Sequence, residues 1–314
     1  MTEPKPGPET GSPPELSVVI PSWNTRDLLA ACLDALFAAD LPTTETIVVD
    51  NASADGSADM VAERFPDVVL IRNAENKGFA GGCNQGMEVA RGRFVLLLNS
   101  DTEVARDALA RLIAWLDEHA EYGAAAPLLH HPDGRVQPSL KRFPNLDTAL
   151  WFSTPMERRY PNNAELKRYF MRDADPEQSS DVDQPPAACL LIRADVLARI
   201  GFFDESLWLF FNDVDLSKRM DAAGYKTRYV AEARVLHHEG ASTSKYGRFL
   251  VEWQRNRLTY YRKHHGWTGG LWLKACVAFS YVDWLVTQLW RKARGKPSDT
   301  LRENTGGFLR FLFS

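Results

Sequence analysis

Phe94-Val95-Leu96-Leu97-Leu98-Asn99-Ser100-Asp101 is the stretch on which the fold turns. Five apolar residues without a polar alternate describe a strand buried on both faces, the kind found in parallel sheets sandwiched between helices. Outward from it the chain alternates short apolar runs with segments of helical spacing. Residues 16–20, 46–49 and 68–71 read as strands, the first stopped by Pro21. Helices are expected over 24–39, 57–65 and about 83–91, and again over 106–119. In the first of these Leu28, Leu29, Cys32, Leu33, Leu36 and Phe37 fall on one face. The pattern predicts an α/β domain with a mainly parallel central sheet covered by helices. Ligands in such sheets bind beyond the carboxyl ends of the strands. Residues 130–186 are irregular, rich in Pro, Asn, Asp and aromatics, and read as a lid or acceptor-binding region. Order returns with a strand at 187–192, a helix at 213–223 and paired strands over 226–238.

The strand ends carry the chemistry. Asp50 closes the second strand in Asp50-Asn51-Ala52-Ser53-Ala54-Asp55-Gly56-Ser57, where its carboxylate can accept the imide N–H of a uracil or thymine ring. Asp55 and Ser57 are accounted for as caps of the next helix; Asp50 is not. Asp101 places a carboxylate at the tip of a buried strand, which costs free energy unless something pairs with it. A divalent cation, Mg2+ or Mn2+, bridging to a diphosphate is one partner, and a turn Asp bonded to its own backbone is the plainer alternative.

Asn76-Lys77-Gly78-Phe79-Ala80-Gly81-Gly82-Cys83-Asn84 opens a helix with glycines. That permits close approach either to phosphate or to neighbouring backbone, and it fits neither the dinucleotide nor the Walker fingerprint. In Asn212-Asp213-Val214-Asp215-Leu216, Asn212 reads as an N-cap and Asp215 as its capping-box partner. Asp213 is left in the first turn, where the helix dipole favours an ionised carboxylate able to act as general base. His237 and His238 end the last strand, and adjacent strand residues point to opposite faces, so at most one faces the site.

The 314 residues allow one large domain and a smaller C-terminal appendage. A net charge of −4 gives no argument for nucleic-acid binding, and no nucleic-acid partner is expected. Cys32, Cys83, Cys189 and Cys276 form no C-x-x-C pair, which argues against a zinc site or disulfide framework and for a reducing compartment. Residues 1–15 hold five prolines and no apolar run, a disordered leader rather than a signal peptide.

Six stretches in order resemble glycosyltransferase family 2, the inverting enzymes of the GT-A fold, and within it the bacterial rhamnosyltransferase-like branch. They are Ser17-Val18-Val19-Ile20-Pro21-Ser22-Trp23-Asn24, the Asp50 segment with Val49 before it, Asn76 to Gly82, Leu98 to Thr102, Asn212 to Leu216, and Ala233-Arg234-Val235-Leu236-His237-His238. The resemblance implies a nucleotide site formed by Pro21, Ser22, Asn24, Asp50, Asn51, Lys77, Asn99 and Ser100. It implies metal ligation by Asp101, the last residue of a D-x-D motif, and by His237 in preference to His238. Asp213, the second acid of an E-D motif, would be the catalytic base. Asn99 and Asn212 depart from the family's Asp and Glu. The expected partners are a nucleoside-diphosphate sugar donor, with thymidine-linked rhamnose suggested by the branch, and a saccharide or polyprenyl-linked saccharide acceptor. A nucleotidyltransferase is the nearest rival enzyme, but its signature is missing around residues 21–26. A catalytically silent nucleotide-sugar-binding module is the other alternative.

This reading places the catalytic domain at residues 16–245 and a helical segment at 246–314. From Trp267 to Trp290 the chain is strongly apolar, interrupted by Lys274 and Asp283, with Ser280, Asp283, Thr287 and Arg291 at helical spacing. The length could just span a bilayer, yet a mid-segment Asp and a polar stripe fit an interfacial helix better. Arg291, Lys292, Arg294 and Lys296 suit anionic headgroups. The expected location is cytoplasmic, peripheral on the inner face of the cell membrane; packing on the catalytic domain or a homodimer contact is the alternative use of this helix.

Overall fold

The computed structural model describes residues 12–238 and 249–294, with Phe308 and Phe311; most of the expected leader and Lys296 lie outside these residues. Along the first half run β1 (Leu16–Ser22), α1 (Arg26–Phe37), β2 (Thr44–Asp50), α2 (Ser57–Arg64), β3 (Val69–Arg72), α3 (Gly78–Val89) and β4 (Phe94–Leu98). Then follow β5 (Thr102–Val104), α4 (Ala108–Glu118), β6 (Tyr122–His130), α5 (Leu146–Trp151), α6 (Pro155–Arg159) and α7 (Ala164–Tyr169). The chain continues through β7 (Ser180–Asp181), β8 (Cys189–Arg193), α8 (Ala194–Ile200), α9 (Asn212–Ala222), β9 (Lys226–His237) and α10 (Phe249–Ala293).

The sheet is mixed. Its order is β3-β2-β1-β4-β8-β6-β9-β5, with β7 also on β9. The β3-β2-β1-β4 half is parallel, as the crossover helices require. β8 enters antiparallel to both β4 and β6, and β6 pairs with β9 in parallel again. Pro21 does not stop β1: it pairs with Val49, and the ladder to β4 already ends at Val19, so its missing N–H removes no hydrogen bond there. The expected pair of strands over 226–238 is one strand, β9. Its register to β6 jumps between Pro127↔Val230 and Leu128↔Arg234, an irregularity that no apolar pattern announces.

Strand alternation divides the core in two. Val18 and Ile20 of β1 and Leu96 and Leu98 of β4 face Leu29, Leu33, Val61, Leu112 and Leu116 of α1, α2 and α4. Val19, Val95 and Leu97 face Cys83 and Met87 of α3, Val196 of α8, and Leu216 and Met220 of α9. The result is three layers, αβα, as the run of apolar strands predicts. All four cysteines are buried and free.

Arg142–Asp173 and the described part of Arg248–Ser314 form a second compact unit, separate from the sheet unit. The irregular reading of residues 130–186 misses three short helices here. Asn145 and Thr148 make a reciprocal capping box at α5, Thr154 caps α6 with Pro155 at its first position, and Asn163 caps α7. Five or six residues are too few for periodicity to show, but the caps were legible. Arg257, 1% exposed, lies over the rings of Phe152, Trp253 and Tyr261 at 5.1–5.8 Å and donates to the carbonyls of Ala149 and Phe152. α10 is two helical arms joined at Gly266, whose φ of 69° breaks the helix. Among the described residues no helix is long and apolar enough to cross a membrane.

Close packing of α3 on β1 depends on Gly86, where an added Cβ would sit 2.3 Å from Val19 Cγ1. Gly86→Ala is expected to lower unfolding free energy by about 1–3 kcal/mol in a urea melt. Adding Val19→Ala to that variant should cost less than Val19→Ala alone, because the two side chains compete for one space.

Candidate active site

The carboxyl ends of β1, β2 and β4 come together with the start of α9 and the end of β9. Ser22 and Ser100 are both buried and joined through Thr25, with Oγ–Oγ1 distances of 3.1 and 2.8 Å. Asn24 ties the next strand in: its N–H donates to Ser53 Oγ at 2.9 Å, and its Oδ1 accepts the N–H of Ala54 at 2.8 Å. Ser53 in turn donates its N–H to Asp50 Oδ2 at 3.1 Å. The other oxygen, Asp50 Oδ1, is buried with no hydrogen-bond partner, and so is Asn99 Oδ1. An unpaired buried acceptor costs about 1–3 kcal/mol, and these two, at the ends of β2 and β4 on either side of β1, are positions that a ligand's donors would satisfy.

Asp101 and His237 meet. His237 Nε2 lies 3.4 Å from Asp101 Oδ1, and the N–H of His238 donates to the Asp101 carbonyl at 2.9 Å. Gln137, a lone glutamine that no sequence pattern singles out, fixes the imidazole. Its Nε2 donates to the His237 carbonyl at 2.7 Å, which leaves its Oε1 facing Nδ1 at 2.9 Å. Nδ1 must therefore carry a proton, and Nε2 is the ring nitrogen turned to the Asp101 carboxylate. A carboxylate and an imidazole fixed by an outer hydrogen bond are donor types that a divalent cation takes. Among the described residues no third His, Cys, Asp or Glu joins them. His238 turns away to Glu103 Oε1 at 3.0 Å, as strand alternation requires.

Asp213 stands in the first turn of α9, after Phe211 in a left-handed conformation of φ 62°. With Asn24 and Ala52, Phe211 completes the described non-glycine residues of the sheet unit at positive φ, and all three lie at this edge. Asn212 is not the N-cap: it is the first helical residue, its Oδ1 accepts the N–H of Asp213 at 2.8 Å, and its Nδ2 donates to the Leu207 carbonyl at 3.3 Å. A Glu there could not make that donation. Asp215 is no capping-box partner either. Fully buried, it pairs with Arg219 at 2.9 Å, whose other nitrogens hold the carbonyls of Ile200, Gly201 and Phe202. Burial holds the Asp213 carboxyl above the ordinary carboxylate range; the Lys141 ammonium and the N–H groups of Val214 and Ala187 lower it only in part.

The glycine-rich segment is used for packing. A Cβ on Gly78 would strike Trp208, one on Gly82 would strike Asn51 Nδ2 at 2.7 Å, and the N–H groups of Phe79 and Ala80 donate to the Trp208 carbonyl. Asn51 Nδ2 donates to the Gly78 carbonyl, and its Oδ1 accepts from Asn73 Nδ2. Lys77 is exposed at the start of α3 and has no ion pair among the described residues. Cys32 lies under Asn99, its thiol pushed up to about 12 by burial, so it is no nucleophile.

Residues 17–197 match the sequence model of "Glycosyl transferase family 2", more than half of the chain. The chain belongs to glycosyl transferase family 2. The match ends before Asp213 and His237. An N-acetylglucosaminyl-diphospho-decaprenol L-rhamnosyltransferase of Mycobacterium tuberculosis is 27% identical over 241 residues, covering 73% of this chain and 78% of its own. The O-antigen biosynthesis protein RfbC of Myxococcus xanthus is 27% identical over 73% of this chain and 18% of its own. The mannosyltransferase PcManGT of Pyrobaculum calidifontis, solved with GDP-Man and Mn2+, aligns with a TM-score of 0.57 at 17% identity, over 99% of this chain and 88% of its own. At that identity the likeness is one of fold, the GT-A fold. The protein is a glycosyltransferase, and the nucleotidyltransferase and silent-module readings fall away.

Because the fold raises the pKa of Asp213, the stability it contributes is full below the unfolded pKa and is lost as pH rises through the folded one. At pH 7.5 the carboxylate is a burden on the fold. Asp213→Asn is expected to melt at a higher temperature than wild type at pH 7.5, with the difference closing towards pH 4 in paired thermal melts.

Proposed function

We propose that this glycosyltransferase moves a sugar, with inversion, from a nucleoside diphosphate to a lipid-linked saccharide in cell-envelope polysaccharide synthesis. The observation that carries the reading is the Asp101–His237 pair, with its imidazole set by Gln137, at the same sheet edge as the unpartnered Asp50 oxygen. The Asp50 acceptor suits the imide N–H of uracil or thymine. The name of the mycobacterial relative supports L-rhamnose as the sugar and a polyprenyl diphosphate saccharide as the acceptor. An acceptor of that kind places the enzyme at the cytoplasmic face of the membrane.

Asp101 and His237 would hold a divalent cation, Mg2+ or Mn2+; PcManGT carries Mn2+. Bound there, the cation supplies Lewis-acid neutralisation of the charge growing on the diphosphate. Asp50 fixes the base, and Asn24 and the Ser22–Thr25–Ser100 chain hold the strand ends that carry it. Asp213 accepts the proton of the acceptor hydroxyl as its oxygen bonds to the anomeric carbon and the diphosphate leaves from the opposite face. A base with a raised pKa keeps more proton affinity at neutral pH than an ordinary carboxylate, which suits proton removal from a hydroxyl.

Thermal melts with UDP, dTDP and GDP, each with and without Mn2+, test the site. One diphosphate should raise the melting temperature in a Mn2+-dependent way. The shift should vanish in Asp101→Ala and survive in Asp213→Asn, while Asp213→Asn loses about 10²–10⁴-fold in transfer rate. Gln137→Leu should weaken Mn2+ affinity about 10–100-fold in the same titration, as loss of an outer-shell partner does. Equal shifts in wild type and Asp101→Ala, or a product with retained anomeric configuration, would sink this assignment.

A further inference from the structure

Beyond Gly266, α10 carries its polar and apolar faces in the reverse of the usual order. The polar stripe is turned into its own unit. Ser280 Oγ and Thr287 Oγ1 donate to the carbonyls of Cys276 and Asp283, and Asp283 pairs with Arg158 of α6 at 3.0 Å. The outward face carries Leu271 and, beyond the small Ala275, large apolar residues every three or four positions, Phe279, Val282, Val286 and Leu289; bounded by Trp267 and Trp290, these large residues are all 43–74% exposed. From Trp267 to Trp290 the row runs for about 35 Å at 1.5 Å per residue. Water-exposed helices put such a row inside.

Charge says what covers it. No carboxylate lies in this row, and Arg291, Lys292 and Arg294 follow it with no carboxylate partner among the described residues. The Arg294 guanidinium lies over the Trp290 ring at 4.0 Å. Indoles at both ends of the row suit the headgroup level of a bilayer, and the cations beyond one of them suit anionic headgroups. A second copy of this chain would bring the same apolar row and the same terminal cations, with no carboxylate in that row to pair with them. The described end of the chain sits elsewhere: Phe308 stacks on Tyr281 at 3.9 Å, about 100° round the helix from Val282. We propose that this face of α10 is a lipid-binding surface that lies flat in the headgroup region of an anionic membrane. The proposal does not rest on the transferase chemistry.

Cosedimentation of the full chain with phosphatidylcholine vesicles, with and without phosphatidylglycerol, tests it. Wild type is expected to bind the phosphatidylglycerol vesicles and to shift its tryptophan emission to the blue. Val282→Glu with Val286→Glu, both at exposed positions, should keep the wild-type melting temperature and lose binding by on the order of tenfold or more. Lys292→Ala with Arg294→Ala should lose about fivefold per cation, and only towards the anionic vesicles. Absence of wild-type binding, or unchanged binding by the double glutamate variant, overturns the proposal. So does a dimer in light scattering that the glutamates convert to monomer while vesicle binding persists; the face would then join two copies.

Discussion

The chain has to leave a buried strand at the tip of β4 without stranding its peptide groups, and the rest of the site depends on how it does so. The N–H of Asn99 donates to the carbonyl of Ala188 at 2.8 Å, the carbonyl of Asn99 accepts from Thr102, and the carbonyl of Asp101 accepts from His238. Those bonds tie β4 to the segment before β8 and to the end of β9. The Asp101 side chain is thereby delivered to His237, and Ala187, one residue from Ala188, gives its N–H to Asp213. A carboxylate, an imidazole and a base are placed by main-chain bonds that any sequence could make; only the side chains at their ends are particular.

The same edge is where the fold gives up stability. Asp50 Oδ1 and Asn99 Oδ1 are buried without partners, Asp213 is a carboxylate in partial burial, and Phe211 holds a left-handed backbone that a bulky residue disfavours. Each is a local loss that the two apolar cores offset. Concentrated at one sheet edge, such losses are typical of a surface shaped for something other than water.

Much of this was legible in the residues. The apolar runs located β1, β2 and β4, and the polar residues that followed them were the ones the structure collects. What stayed hidden has physical reasons. Asn212 and Asp215 wear the residue types of a capping box, but the Leu207 carbonyl and Arg219 claim them, and partners so placed in the chain leave no periodic trace. Gln137 acts across 100 residues on His237, and a lone Gln carries no sequence signal. The extra residues of β9 between Val230 and Arg234 look like continued strand, since a local irregularity keeps the apolar character and changes only the register. The glycines of α3 were ambiguous between phosphate and packing because both need the same missing Cβ.

The second unit is assembled from two stretches that are far apart in the chain. On a ribosome, α5, α6 and α7 emerge first, and all of Ala174–Gly247 must be made before α10 begins to appear. At about 5–20 residues per second that interval is on the order of 4–15 s. Throughout it the rings of Phe152, Tyr169 and Phe170 have one another but neither Trp253 nor Arg257. The nascent chain thus carries an aromatic cluster, incompletely covered, for seconds. That is the time in which a chaperone can bind it and in which a truncated message would leave it permanently bare.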